Sequence, residues 1–299
     1  MAGSLHAGMG WLDRQVGFLW DHPAFRAAPI ASSWRLLAWR LRTLLNRPSV
    51  VRLHRYDVDL LLPAEWKGLS KVAFVFREYV EPALAHLDVL IRPGSFAIDL
   101  GAHYGNYTLP LSRLVGEAGM VYALEPGSHA FHVLKINILL NRARNVHLLR
   151  TAVGAENGQA LLYQSHDTSR NSFSQPDFPC EHWEAVRVQR LDDIVAELGI
   201  ERVDFIKADI EGAEELALRG AEETIRKHEP AILLELHPGA AQNLGLSPQG
   251  AIEVLEAHDY GFFALTDRDL VPLSASSASR IGAQAGHLVA LRSGSSSSA

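Results

Sequence analysis

The feature that most constrains this chain is a rhythm that begins at Glu78: short apolar runs able to form buried strands alternate with helical stretches. "EYVEPALAHLDVLI" reads as a helix leading to a turn at Pro93-Gly94, and "SFAIDL" follows as the first buried strand. A helix from about Tyr107 to Val115, a strand "MVYALE", a helix "SHAFHVLKINILLNR" and a strand "VHLLRTAVG" come next. "AVRVQRLDDIVAELG" supplies a short strand and a helix, "VDFIKADIEGAEELALRGAEETIRKH" another pair, then "PAILLELH" a strand and "SPQGAIEVLEAHDYG" a helix. "FFALTD" and "GHLVALR" close the series as a pair of strands. Alternation at this spacing predicts a mostly parallel sheet covered on both faces, the doubly wound α/β class.

The 299 residues, 47% of them hydrophobic, suffice for one large domain with additions. The expected organisation is an N-terminal extension over 1–77, the main domain over 78–292, and a disordered tail over 293–299, where "SGSSSSA" has nothing to bury. In the extension, "SSWRLLAWRLRTLLN" from Ser32 to Asn46 reads as an amphipathic helix capped by serine, and "VVRLHRYDVDLLLP" as a small hairpin. A basic helix carrying Trp34 and Trp39 suits an anionic membrane surface, although most such helices dock their apolar face on the neighbouring domain. No stretch approaches the roughly 18 to 20 apolar residues of a membrane span, and the first residues lack a secretory pattern. The single cysteine, Cys180, excludes an internal disulfide and a cysteine-built zinc site, which points to the cytoplasm. A net charge of -6 gives no reason to expect nucleic acid as a partner.

In a doubly wound sheet the ligand lies beyond the carboxyl ends of the strands. Four of the apolar runs close on an acid there: Asp99, Glu125, Asp209 and Glu235. One such residue is ordinarily a cap for the next helix, but four on one rim repel each other, so something cationic or rich in hydroxyls must lie among them. The turn after Asp99 reads "GAHYG", with glycine at Gly101 and Gly105 and His103 where a dinucleotide-binding G-x-G-x-x-G needs its second glycine. Such a turn suits a pyrophosphate poorly. It suits a nucleoside with a cationic amino-acid tail, with Glu125 as bidentate acceptor for the ribose hydroxyls, and S-adenosylmethionine is that molecule.

The blocks "FAIDLGAHYGNYTL", "VYALEPGSHAFHVLKINILLN", "TAVG" and "VDFIKADIEGAEELALRGA" resemble, in order and spacing, the FkbM family of S-adenosylmethionine-dependent methyltransferases, over roughly Glu78 to Arg292. The resemblance implies a Rossmann-like sheet of seven strands with the last antiparallel, and O-methylation of a sugar or natural-product hydroxyl. It implies that Asp99, Gly101, Gly105 and Glu125 contact the cofactor, with Ala152 and Val153 near the adenine. Ala102, His103, Asn106, Tyr107 and Thr108 in the turn, Pro126 beside Glu125, and Asp209 complete the expected cofactor site. Where the family turn reads Gly-Ala-Asn, this chain has His103.

A hydroxyl acceptor has a proton to lose, so a base must stand at the rim. Candidates are Asp209; Glu211, placed at a helix start that would keep it ionised and weakly basic; Glu235; and His237, the most suitable by intrinsic pKa. Lys207 lies two residues before Asp209 on the same strand face and is expected to pair with it. Glu214 reads as ordinary first-turn charge. Asp209, Glu235 and His237 have the chemistry to gather a divalent metal, but nothing in their spacing requires one, and none is expected. The polar insertion with His166, Arg170 and Asn171 reads as an acceptor-side lid. Two other readings share the sheet: a nicotinamide-dependent oxidoreductase or epimerase, for which no Tyr-x-x-x-Lys pair follows the third strand, and a non-catalytic nucleoside-binding scaffold. The acceptor itself and the oligomeric state are not legible.

Overall fold

The structure is a computed structural model that describes residues 25–26, 28–66, 68–77, 82–163, 173, 182–247, 249–266, 269–283 and 286–293. Five parallel strands form the centre of the main sheet: β3 (Phe96–Leu100), β4 (Met120–Leu124), β5 (Val146–Leu149), β9 (Phe205–Ala208) and β10 (Ala231–Leu236). β11 (Tyr260–Leu265), β12 (Leu270–Leu273) and β13 (Gly286–Arg292) complete it, in the order β12-β11-β13-β10-β9-β3-β4-β5. β13 runs antiparallel between β10 and β11, as expected of the last strand. Seven strands become eight because "LVPL" turns back along β11 as an edge strand. The chain order reverses between β3 and β9, so the crevice for a ligand opens at their carboxyl ends.

Two runs leave the main sheet. "VHLLRTAVG" is not one strand: after β5 the chain departs, and β6 (Ala152–Val153) pairs in parallel with β8 (Trp183–Gln189), which pairs antiparallel with β7 (Gly158–Tyr163). β8 has only one well-buried face, so it suits a small antiparallel sheet rather than the centre of a parallel one.

The extension packs on the same molecule. β1 (Ser49–Leu53) and β2 (Val58–Leu62) form the hairpin. The N-terminal helix α1 spans Pro29–Leu44, earlier than the sequence suggests: Pro29, with its fixed φ and missing N–H, starts the helix, and Ser32 is buried inside it rather than capping it. α1 docks through Trp39, whose indole N–H donates to the Glu65 carbonyl at 2.9 Å and whose ring meets Phe74 of α2 (Leu69–Phe76). This reverses the expected orientation, because the leucine-rich face stays outside. The stretch before "SFAIDL" is a 3-10 turn over Pro82–His86 and one short helix, α3 (Leu87–Leu90), with Glu78 to Glu81 outside the described residues. α4 (Thr108–Val115) and α5 (Ser128–Leu140) follow β3 and β4.

The hairpin is held to α5 by asparagines that imitate a neighbouring strand. Leu61 N–H donates to Asn137 Oδ1 at 2.6 Å, and Asn137 Nδ2 donates to Leu61 O at 3.1 Å and to Tyr104 O at 2.8 Å. One turn on, Asn141 makes the same two-way pairing with Asp59 at 2.7 and 2.6 Å. Asn137 is fully buried, so its loss strands three backbone groups without water. Asn137→Ala is therefore expected to destabilise the protein by about 2–4 kcal/mol, read as a lower urea midpoint, whereas Leu139→Ala on the exposed side of α5 leaves the midpoint nearly unchanged.

Candidate active site

The four acids stand together on the carboxyl rim: Asp99 near the end of β3, Glu125 after β4, Asp209 after β9 and Glu235 near the end of β10. The cation their repulsion demands is Lys207. Parallel pairing sets Lys207 opposite Asp99, and its buried Nζ lies 3.4 Å from Asp99 Oδ1 and 3.3 Å from Asp209 Oδ2. It also donates to the carbonyls of Gly101 at 3.0 Å and Leu100 at 3.3 Å, and it sits 5.0 Å from the centre of the Tyr107 ring. Burial disfavours the ammonium, but Asp209, Asp99 and Glu235 outweigh it and raise the Lys207 pKa, so the charge is permanent.

The turn after β3 is shaped by close approach. Gly101 has φ +74, and a Cβ there would lie 2.1 Å from the Asp209 carbonyl, so no other residue fits. Thr108 donates to Asp99 Oδ2 at 2.6 Å. Glu125 is held from both sides: its Oε2 accepts the His103 N–H at 2.9 Å and its Oε1 the Gly127 N–H at 2.8 Å. Burial pushes Glu125 up to about 7 against those two donors and the Lys207 charge. His103 thus reads Glu125 through its backbone, at φ +47, while its ring lies 3.8 Å from that of Tyr104. An asparagine would meet the left-handed φ more easily; histidine there is held by stacking. Ala102, Asn106 and Tyr107 are buried in the turn, Pro126 is half-buried beyond Glu125, and Ala152 and Val153 are buried in β6 next to β5.

A second cluster centres on His237, just past β10. Its Nδ1 is 3.1 Å from Glu214 Oε1, while its Nε2 faces Glu235 at 3.7 Å, Asp209 at 3.8 Å and Glu211 at 3.9 Å. Burial works against its charge, but the Glu214 hydrogen bond and the Glu211 and Asp209 charges raise its pKa to about 10. Glu235 is lowered to about 2: burial is overcome by His287 of β13, 3.2 Å away, and by His237 and Lys207. Burial raises Asp209.

Glu211 differs most from its sequence reading. The following helix (Glu214–Arg219) begins only at Glu214, so Glu211 lies in the turn at φ +52, followed by Gly212 at φ +97. No helix N-terminus supports its charge there, and burial raises its pKa to about 8, so it is more basic than an ordinary glutamate rather than less. Glu214, read as simple first-turn charge, is buried and takes the N–H of Gly212 at 3.1 Å as well as the histidine. Sequence reasoning also missed His287, which reaches Glu235 through antiparallel register. His166, Arg170 and Asn171 lie outside the described residues. Asp209, Glu211 and His237 form the one set with metal-ligand spacing among the described residues, their ligand atoms all within 4.8 Å of one another.

The rim and turn define a doubly wound α/β protein with an acid-lined crevice where the order of its sheet reverses. One observation bears on the fit of a cationic cofactor: Asp99 Oδ1 is fully buried and accepts no hydrogen bond among the described residues, with the Lys207 ammonium facing it at 3.4 Å beside the glycine turn. Residues 99–262, more than half of the chain, match the family described as the methyltransferase FkbM domain. The chain belongs to that family of methyltransferases. Methyltransferase 1 of Beauveria bassiana is 27% identical over 43% of this chain and 59% of its own. Methyltransferase sdnD of Sordaria araneosa is 27% identical over 75% of this chain and 92% of its own. The 31-O-demethyl-FK506 methyltransferase FkbM of Streptomyces tacrolimicus is 24% identical over 56% of this chain and 75% of its own.

Lys207→Met leaves buried Asp99 and partly buried Asp209 without their counter-charge. A loss of about 3–5 kcal/mol is expected in chemical denaturation, and Lys207→Arg, which keeps the charge in a bulkier group, should recover part of it.

Proposed function

We propose that this member of the methyltransferase family uses S-adenosylmethionine to methylate oxygen, at a hydroxyl of a natural-product or sugar acceptor, in the cytoplasm. The arrangement that carries this reading is the second cluster: a proton-handling group of Glu211, Asp209, Glu235 and His237 directly beside the Lys207–Asp99 pair at the reversal point of the sheet. Supporting it from outside the chain, the Streptomyces relative is by name a methyltransferase of a 31-O-demethyl natural product.

When bound, S-adenosylmethionine supplies an electrophilic methyl on a sulfonium, so the protein's part is alignment and removal of one proton. The negative charge of Asp99 and the backbone of the Gly101–Gly105 turn serve the cationic tail; Glu125 faces the ribose hydroxyls; Ala102, His103, Asn106, Tyr107, Thr108, Pro126, Ala152 and Val153 shape the walls. His237 is charged at neutral pH and is therefore a poor proton acceptor, so we assign it to holding and orienting the carboxylates. The base is Glu211, whose raised basicity matches the task, with Asp209 beside it, while Glu235, drawn far below its usual range, stays ionised as a fixed charge. Lys207 fixes the charge balance of the whole rim.

Three outcomes are expected. S-adenosylhomocysteine raises the melting temperature of the full chain, and Glu125→Ala weakens that shift. Glu211→Gln lowers kcat by about 10²-fold or more with cofactor binding retained, measured as transfer of labelled methyl to a panel of glycosides and macrolide alcohols. The wild-type rate rises with pH through about 8, because only the ionised Glu211 accepts a proton, and Glu211→Gln loses that limb.

A further inference from the structure

The outer face of α1 carries Ile30, Trp34, Leu37, Leu41 and Leu44, a 4-3-4-3 spacing that draws one stripe along the 16-residue helix, and each side chain is 59–75% exposed. The opposite face is already used: Ser32 and Trp39 are buried, and Arg35 donates to the Val75 carbonyl at 3.3 Å. The helix is thus anchored by its polar and tryptophan side with its apolar side turned to solvent. A soluble surface seldom keeps such a contiguous patch without something to cover it.

Charge identifies the cover. The helix holds Arg35, Arg40 and Arg42 and no acidic residue, in a chain whose net charge is -6. Arg40 stacks 4.2 Å from the ring centre of half-exposed Trp66, and Arg77 adds a further cation next to Arg35 over Phe74. A second copy of this helix could use the same spacing, but it would set arginine against arginine with no acid on either helix to pair them. Lipid phosphates supply the opposite sign, and indoles favour the interface between headgroup and hydrocarbon. We propose that α1 is a peripheral membrane anchor that lies flat on an anionic bilayer, its leucine stripe in the acyl boundary and Arg40 and Arg42 beside it at the phosphates. No helix among the described residues is long and apolar enough to cross a membrane, so the contact is to one surface.

The test is flotation of the full chain with phosphatidylcholine vesicles that contain or lack phosphatidylglycerol. Binding is expected only with phosphatidylglycerol and should weaken as salt rises. Trp34→Ser, Leu37→Ser and Leu41→Ser together should cut the bound fraction roughly tenfold or more while melting temperature and methyl transfer to a soluble acceptor stay unchanged. Absence of flotation at low salt, equal binding to neutral vesicles, or full binding by the triple variant would each overturn the proposal. So would a dimer in light scattering that the triple variant abolishes, since a second copy would then be what covers the stripe.

Discussion

One buried ammonium makes the rest of this rim possible. Carboxylates at the ends of adjacent parallel strands would otherwise repel at close range in a medium that screens poorly, and the β3–β9 edge would lose its order. Lys207 answers this from within the sheet: its ammonium touches Asp99, Asp209 and two backbone carbonyls of the glycine turn. It therefore joins the glycine turn after β3 to the acidic cluster around His237. Its charge is kept by the same acids it neutralises, which is why neither side of the arrangement stands alone.

The sheet was legible because buried parallel strands must be apolar throughout, so their acidic endings stand out against them. Asp99, Glu125, Asp209 and Glu235 were found in that way, and so was the need for a cation among them. Lys207 was readable by parity, two residues before Asp209. What escaped the sequence depended on partners distant along the chain. His287 meets Glu235 only because β13 runs antiparallel to β10 in one particular register. Glu214 looked like first-turn charge because nothing local reports that His237 lies 3.1 Å from it. The basicity of Glu211 was misread because a helix boundary moved by three residues, and an N-terminal dipole acts over little more than one turn. "VHLLRTAVG" was read as one strand since its apolar character persists through the point where the chain changes sheets.

The fold also explains why the turn after β3 holds its shape without a full set of glycines. Gly101 admits the Asp209 carbonyl, and His103 takes a left-handed conformation that its own side chain does not favour. That cost is met by contacts on every side: Glu125 receives its N–H, Tyr104 stacks on its ring, and Thr108 ties the end of the turn to Asp99. A loop over-determined in this manner is pre-organised before any ligand arrives.

The Tyr104 tether has a consequence for anyone who would exchange parts among relatives. Its hydroxyl bonds Glu65, whose carbonyl takes the Trp39 indole, and its carbonyl takes Asn137, which in turn grips the hairpin. The glycine turn after β3 is thus laced to the hairpin and α1 rather than to the sheet alone. A chimera that grafts a foreign N-terminus onto this catalytic half must import an acceptor in the position of Glu65, or the graft will slacken a pocket it never touches.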